Sequence, residues 1–455
     1  MPDIMKKTTW LILLLAIPLC ALLAAFIYRL PPIHSRLDPR LAEIKTRIQY
    51  AINPPDEAIF VPETSGDPVA QNPTRTSDPT STATATLPPE VPTPTPEPSL
   101  TPTITPTALP ESVILDGVVY VDQHGRWNYC GPANLTMALK FWGWEGDRDD
   151  VAAVVKPGIQ NPANDFIEQG RWDKNVMPYE LMNFVIDDTE FNVVMRYGGD
   201  NDLVKRLIAG GFPVLIEKGY YEADYTGKVA WLGHYLFTTG YDDAAGEFIV
   251  QDAYLKPGEN RRVHYTTYTD GWRSFNYLFM VVYPPARESE VFEILGSYAD
   301  SSWADQHSLE VAEREIDEYR GIDQFFAWFN KGTSLVQMQQ YADAAAAYDQ
   351  AFAVYADLGE GDNQRPYRIM WYQTGPYWAY YYSWRYQDVI NLANTTLYDQ
   401  MISEPTLEES IYWRGMAYYE LGETDQAIAD FRETVRLNPN FGPGWSMLDY
   451  LGVGP

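Results

Sequence analysis

The pattern of apolar and polar positions divides the chain into four stretches of different character. From Thr8 to Tyr28 it reads TTWLILLLAIPLCALLAAFIY without a charge, the length that a helix needs to cross a ~30 Å hydrocarbon core. A cleaved secretory signal would end a shorter apolar core at small residues, and a lipoprotein signal would place a small residue before its cysteine, where Leu19 stands. The pattern therefore predicts one membrane-spanning or signal-anchor helix. Between Pro62 and Pro110 periodicity disappears and Pro, Thr and Ser dominate. Such a segment cannot bury a core, and its polyproline II tendency predicts a semi-rigid spacer on the order of 100 Å long.

From Ile114 to Pro284 short apolar runs alternate with turns. They predict a first strand in ILDGVVYV from Ile114, a helix opened by Cys130 with Leu135, Leu139 and Trp142 as its buried stripe, an acidic loop, and a helix over Asp202 to Gly210. Strands follow at Pro213 to Glu217, Gly233 to Tyr241, Glu247 to Asp252 and Asn276 to Tyr283, giving a helix-then-sheet, α+β domain. The last stretch has helical periodicity. A charged helix covers Ser301 to Arg320, and two units of similar pattern run from Phe325 to Leu358 and from Glu408 to Phe441. Superposed on Gly332 and Gly415, Ala344 falls on Ala427 and Tyr348 on Phe431. A longer, degenerate unit containing RYQDVINLANTTL lies between them, so about three units stack into an all-α solenoid. The aromatic run WYQTGPYWAYYYSWRY, Trp371 to Tyr386, reads as packing within that middle unit, with a peptide- or glycan-binding face as the alternative.

Chemistry enters at Cys130, the only cysteine beyond the apolar N-terminal segment. Gly131 and Pro132 turn the chain into a helix, and a helix N-terminus favours a thiolate over a thiol. A buried core cysteine is the plainer alternative. The turn DDAAG supplies a base. If Tyr241 and Glu247 close that hairpin as an opposed pair, Leu236 lies opposite Asp252, and His234 shares the side-chain parity of Leu236. His234 and Asp252 are then diagonal neighbours roughly 7–8 Å apart at the backbone. A one-residue slip would send them to opposite faces. In that register Cys130 is the nucleophile, His234 the general base and then acid, and Asp252 the residue that orients the imidazole.

Composition adds exclusions. The net charge of -29 argues against a nucleic-acid partner, whose phosphates would be repelled. The acidic run Asp147, Asp149, Asp150 reads as solvated surface rather than as a metal site. Two cysteines cannot build a disulfide framework. Lys6 and Lys7 precede the predicted span while Arg29, Arg36, Arg40, Lys45 and Arg47 follow it, so topology is not set by a simple positive-inside count.

The segments CGPANLTMAL, GHYLFTTGYDD and FIVQDAY, in this order, resemble the papain-like cysteine peptidase domains related to the double-glycine leader peptidases, in their free-standing bacterial branch. The resemblance covers about 170 residues. It implies that Gln123, seven residues before Cys130, joins the cysteine's backbone N–H in the oxyanion hole, with Gly125 absorbing the spacing. His124 is a lesser candidate, and the DKN of Asp173 to Asn175 is familiar from the same branch. No phosphate-binding loop of an exporter is present in the sequence, so only amide hydrolysis carries over. The C-terminal units resemble the tetratricopeptide repeat.

Together these readings predict a tail and anchor (1–30), a juxtamembrane segment (31–61), a Pro/Thr stalk (62–110), a papain-like peptidase domain (111–285), a connecting helix (286–322) and a repeat domain (323–455). The expected protein is a membrane-anchored, extracytoplasmic bacterial cysteine peptidase that uses Cys130, His234, Asp252 and Gln123. It takes a peptide or protein substrate, requires no cofactor or metal, and recruits a protein partner through its repeats. Transglutaminase-like acyl transfer or amidase chemistry by the same residues, and a catalytically silent peptide-binding scaffold, are the alternatives.

Overall fold

The structure, a computed structural model, describes residues 60–62, 108–126, 128–157, 175–223, 229–358, 365–399 and 407–455. The predicted span and almost all of the Pro/Thr segment lie outside them. Among the described residues no helix is long and apolar enough to cross a membrane.

The first folded unit is α+β. Its elements are β1 (Ser112–Ile114), α1 (Cys130–Phe141), α2 (Arg148–Val155), α3 (Pro178–Asp188), β2 (Asn192–Arg196), α4 (Asn201–Ala209), β3 (Val214–Ala223), β4 (Val229–Asp242), β5 (Glu247–Gln251), β6 (Arg261–His264), α5 (Tyr265–Arg273) and β7 (Phe279–Tyr283). The strands form one antiparallel sheet in the order β2-β7-β3-β4-β5-β6, with β1 beside the far end of β4. Alternation along β3 and β4 divides the core. Leu215 and Phe237 face α1 and α3 through Leu135, Leu139 and Phe184, while Ile216 and Leu236 face α4 and α5 through Leu203, Leu207 and Trp272.

Three expectations are corrected here. ILDGVVYV pairs only as far as Ile114, because Gly117 at φ +81° turns the chain away, after which Val118, Tyr120 and Val121 pack against the α1 side of the core. The acidic run is the start of a helix. Asp147 accepts hydrogen bonds from the N–H groups of Asp149 and Asp150, and the Asp150 carboxylate accepts one from Asp147 N–H at 2.8 Å, so these acids satisfy orphan donors of α2. The last strand begins at Phe279, since Asn276 and Tyr277 stand in the left-handed region.

Beyond the sheet come α6 (Glu288–Leu295) and α7 (Ser301–Glu318). Helical hairpins follow, α8 (Ile322–Gln337) with α9 (Tyr341–Asp357), α10 (Gly375–Tyr382) with α11 (Tyr386–Asn394), and α12 (Glu408–Glu420) with α13 (Thr424–Leu437), closed by α14 (Gly442–Leu451). The glycine superposition reflects real packing. A Cβ at Gly332 would lie 2.6 Å from the Tyr348 ring, and one at Gly415 2.9 Å from the Phe431 ring, so in both hairpins a glycine lets the partner helix's aromatic approach. The aromatic run divides by face: Tyr377, Tyr380 and Tyr381 are buried, whereas Trp378, Tyr382 and Trp384 are exposed.

The repeats are fused to the sheet rather than tethered to it. Trp231 of β4 stacks on Phe275 at 5.6 Å and meets Phe326 and Tyr372 of the repeat region at 5.8 and 5.7 Å. Buried polar contacts accompany them, with Arg273 paired to Glu315 at 3.2 Å and Asn276 Nδ2 donating to Ser334 Oγ at 2.9 Å. Both edges of the expected spacer are described. Phe60, 5% exposed, inserts between Phe352 (ring centroids at 5.0 Å) and Tyr380 (6.0 Å), while at the far end the Pro110 carbonyl accepts a hydrogen bond from Tyr241. Phe60 and Pro110, at the two edges of the Pro/Thr segment, thus both contact the folded body, and residues 63–107 between them lie outside the described residues.

Candidate active site

Cys130 is the first residue of α1, after Asn128 at φ 44° and Tyr129 as N-cap. The helix start is fixed to the sheet by Asn134, whose Nδ2 donates to the Cys130 carbonyl at 2.8 Å and to the Tyr235 carbonyl of β4 at 3.0 Å. Gly131 permits the approach, since a Cβ there would lie 3.3 Å from Val176 and 3.4 Å from the Tyr235 ring. Pro132 falls in the first turn, where its missing N–H has no intrahelical partner to lose.

The hairpin places His234 beside Asp252 by a route that the sequence does not announce. It closes with Asp242, not Tyr241, opposite Glu247, a one-residue difference from the expected pairing. Left uncorrected, this slip would put His234 and Asp252 on opposite faces. A bulge at Thr239 restores the register, so that Phe237 lies opposite Gln251 and, one step further, Leu236 lies across from Asp252. The bulged residue is held on both sides: its carbonyl accepts Leu115 N–H at 2.9 Å and its hydroxyl accepts Gln251 Nε2 at 2.9 Å.

His234 Nε2 then lies 3.0 Å from Asp252 Oδ1. The same oxygen accepts the N–H groups of Tyr254 and Leu255 at 2.9 and 3.0 Å. The imidazole is flanked edge-on by Tyr220 and Tyr254 at 5.7 and 6.1 Å, with the Cys130 thiol within electrostatic reach. Burial alone would push the Cys130 thiol up. A hydrogen bond and the charge of His234, the Tyr235 backbone N–H and the Lys156 ammonium outweigh it and bring the thiol below its ordinary range. Burial would likewise lower His234, but Asp252 and Cys130 raise it well above the usual imidazole value. Burial opposes the ionisation of Asp252, yet His234 and the two backbone donors hold it down at about 2. The arrangement favours a thiolate beside an imidazolium.

Residues 115–280 match the family model described as Peptidase_C39 like family. They form a C39-like cysteine peptidase domain. Residues 409–441 match the tetratricopeptide repeat, a protein-interaction module, in the unit read from α12 and α13. Among solved structures the chain resembles one described as a C39-like peptidase from Bacillus anthracis, at 17% identity over 38% of this chain and 97% of that one, with a TM-score of 0.30. It also resembles xylellain, a cysteine protease from Xylella fastidiosa, at 18% identity over 38% of this chain and 86% of that one, with a TM-score of 0.26. A search of curated proteins found no match.

Within the peptidase domain, Gln123 is tied to the Asp252 wall, its N–H donating to the Ala253 carbonyl at 2.9 Å, and its buried Oε1 has no hydrogen-bond partner. Gly125, at φ +81°, makes the turn between it and the cysteine. His124 points elsewhere, its Nε2 2.8 Å from the Tyr254 carbonyl. Of the DKN motif, Asn175 is described, and its Nδ2 donates to the Trp371 carbonyl at 3.0 Å, joining the peptidase domain to the repeats.

Sequence reasoning missed three neighbours of the thiol. Lys156, fully buried at the end of α2, donates to the Asn128 carbonyl at 3.2 Å and lies 5.0 Å from the centre of the Tyr129 ring. Tyr372 of the repeat region packs against Gly233, where a Cβ would fall 2.6 Å from its ring. Glu217 of β3 stands opposite Tyr235 and within electrostatic reach of Cys130. None lies near Cys130 in the chain, so no local motif could flag it.

Proposed function

We propose that the protein hydrolyses peptide bonds by nucleophilic catalysis at Cys130. The observation that carries this is the buried 3.0 Å contact between His234 and Asp252 beside a helix-opening cysteine. The Cys130 sulfur attacks the scissile carbonyl carbon, and the backbone N–H of Cys130 with the side-chain amide of Gln123 receives the developing oxyanion. The His234 imidazolium gives its proton to the leaving amine as the C–N bond breaks, leaving a thioester. Neutral His234 then takes a proton from water, hydroxide adds to the thioester, and the carboxylic acid departs as the thiol is restored. Asp252 fixes the ring and stabilises its charged form.

The apolar run from Thr8 to Tyr28 anchors the chain in a membrane, with the peptidase and repeats outside the cytoplasm, and the repeats hold a protein partner. Peptide cleavage measured by mass spectrometry tests the chemistry. Cys130→Ala abolishes it, and His234→Ala lowers it by roughly 10²–10⁴-fold. Products joined to an added amine in place of water would identify acyl transfer instead, and cleavage that survives Cys130→Ala would refute the proposal.

A further inference from the structure

A cavity of about 840 Å³ lies between helices α2 and α3 of the peptidase domain and the repeat array. Among the described residues five carboxylates line it, Glu180, Asp187, Asp188, Glu217 and Glu409, and no lysine, arginine or histidine does. Four of them are accounted for. Glu180 accepts the Met177 N–H at the start of α3, Glu409 accepts the hydroxyls of Tyr179 and Thr374, and Asp187 and Asp188 are exposed to solvent.

Glu217 is different. It is 1% exposed, and its Oε2 has no hydrogen-bond partner. It pairs across the strands with Tyr235, whose ring abuts Gly131, the residue after Cys130. Cys130 itself does not line the cavity, and Glu217 and Tyr372 are lining residues within electrostatic reach of the thiol. Burying a carboxyl oxygen without a donor is costly, and the deficit is relieved by a ligand that brings a charged donor. Phe275, Tyr372, Trp378 and Trp413 supply an aromatic wall suited to an aliphatic stem and to a cation over a ring face.

We propose that this cavity is a substrate subsite for a cationic group of the peptide, a lysine or arginine side chain or a free amino terminus, held by Glu217 next to the scissile bond. The proposal rests on the assignment of Cys130 as nucleophile. Burial, and then the charge of Cys130, push the Glu217 carboxyl well above the usual carboxylate range.

The test uses the full chain and dipeptidyl chloromethyl ketones, in which the thiolate displaces chloride and forms a thioether. N-blocked probes carry lysine at the first or second residue before the ketone, each matched to a norleucine counterpart, and a norleucine probe with a free amino terminus forms the third arm. Every rate is divided by that of iodoacetamide on the same protein. A lysine probe is expected to react at least about 10-fold faster than its norleucine match. In Glu217→Gln that preference falls below about 3-fold. A preference carried by the free-amino-terminus probe instead, and lost in Glu217→Gln, assigns the same subsite to the peptide's amino terminus. Equal rates for cationic and neutral probes on the natural protein, with iodoacetamide still reacting, overturn the subsite without any variant. A preference unchanged in Glu217→Gln overturns it too. A Cys130 inert to iodoacetamide and ketones alike removes the nucleophile on which the proposal stands.

Discussion

Replacing Asp252 with asparagine tests whether the His234 charge is what makes Cys130 a thiolate at neutral pH. The Asp252 carboxyl is held at about 2 against an ordinary value of 3.8, although burial pushes the other way. That difference corresponds to roughly 2.5 kcal/mol of interaction favouring the carboxylate. Two backbone donors supply part of it and His234 the rest, and the coupling between two titrating groups is reciprocal. Asp252→Asn should therefore weaken proton binding at His234 by about 1 to 2 units. The sign follows from the directions of the shifts. The thiolate–imidazolium pair exists between the lowered thiol pKa and the raised imidazole pKa, and weaker proton binding by the ring lets the neutral thiol–imidazole pair compete. Alkylation by iodoacetamide, followed from pH 4 to 10 alongside thiolate absorbance at 240 nm, should fall near pH 6, by less than the roughly 10- to 60-fold change in the proton-binding ratio because the pair starts as the favoured form. The loss should shrink above about pH 9, where the thiol ionises unaided. An unchanged rate near pH 6 would refute the reasoning, and so would a loss of equal size at every pH, which would point to displacement of the ring rather than to its charge.

Other outcomes follow from the same structure. Lys156→Met should raise the midpoint of thiolate formation by about half a unit to one unit, read from 240 nm absorbance, because a buried ammonium acting on Cys130 is removed. The depressed Asp252 contributes stability that is fully present above its unfolded value near 3.8 and is lost as pH falls towards about 2. Asp252→Asn should therefore flatten the acid limb of stability against pH by roughly 2 kcal/mol in denaturant titrations, and a limb as steep as the natural protein's would contradict this. Phe60→Ala should cost roughly 3 kcal/mol and lower the melting temperature seen by calorimetry, whereas an unchanged melting curve would mean that Phe60 does not dock on the repeats. Deleting Thr239 should remove the bulge but leave a regular ladder with Leu236 still across from Asp252, so neutral-pH alkylation should persist, and its abolition with an intact far-ultraviolet spectrum would contradict this register.

Local pattern was sufficient for what depends on neighbours in the chain. The helix opened by Cys130, the strand parity shared by His234 and Leu236, the paired repeat glycines Gly332 and Gly415, and the acidic charge that disfavours nucleic acid all follow from side-chain period and composition. The acidic run is solvated surface as its charge suggests, but the loop expected there opens a helix, because Asp147 and Asp150 cap the backbone donors at the start of α2. The pairing of His234 with Asp252 was inferred from a hairpin closure one residue off, and it survives because Thr239 bulges. Nothing in GHYLFTTGYDD marks that bulge, since it is held by Leu115 and Gln251 on the neighbouring strands. Lys156, Glu217 and Tyr372 reach the thiol only through tertiary packing, and the docking of Phe60 on the repeats is likewise a tertiary contact. Periodicity along the chain selects the face on which a side chain lies. Register, cavity walls and the charges around a buried thiol are set by contacts between distant segments, and those the tertiary structure alone decides.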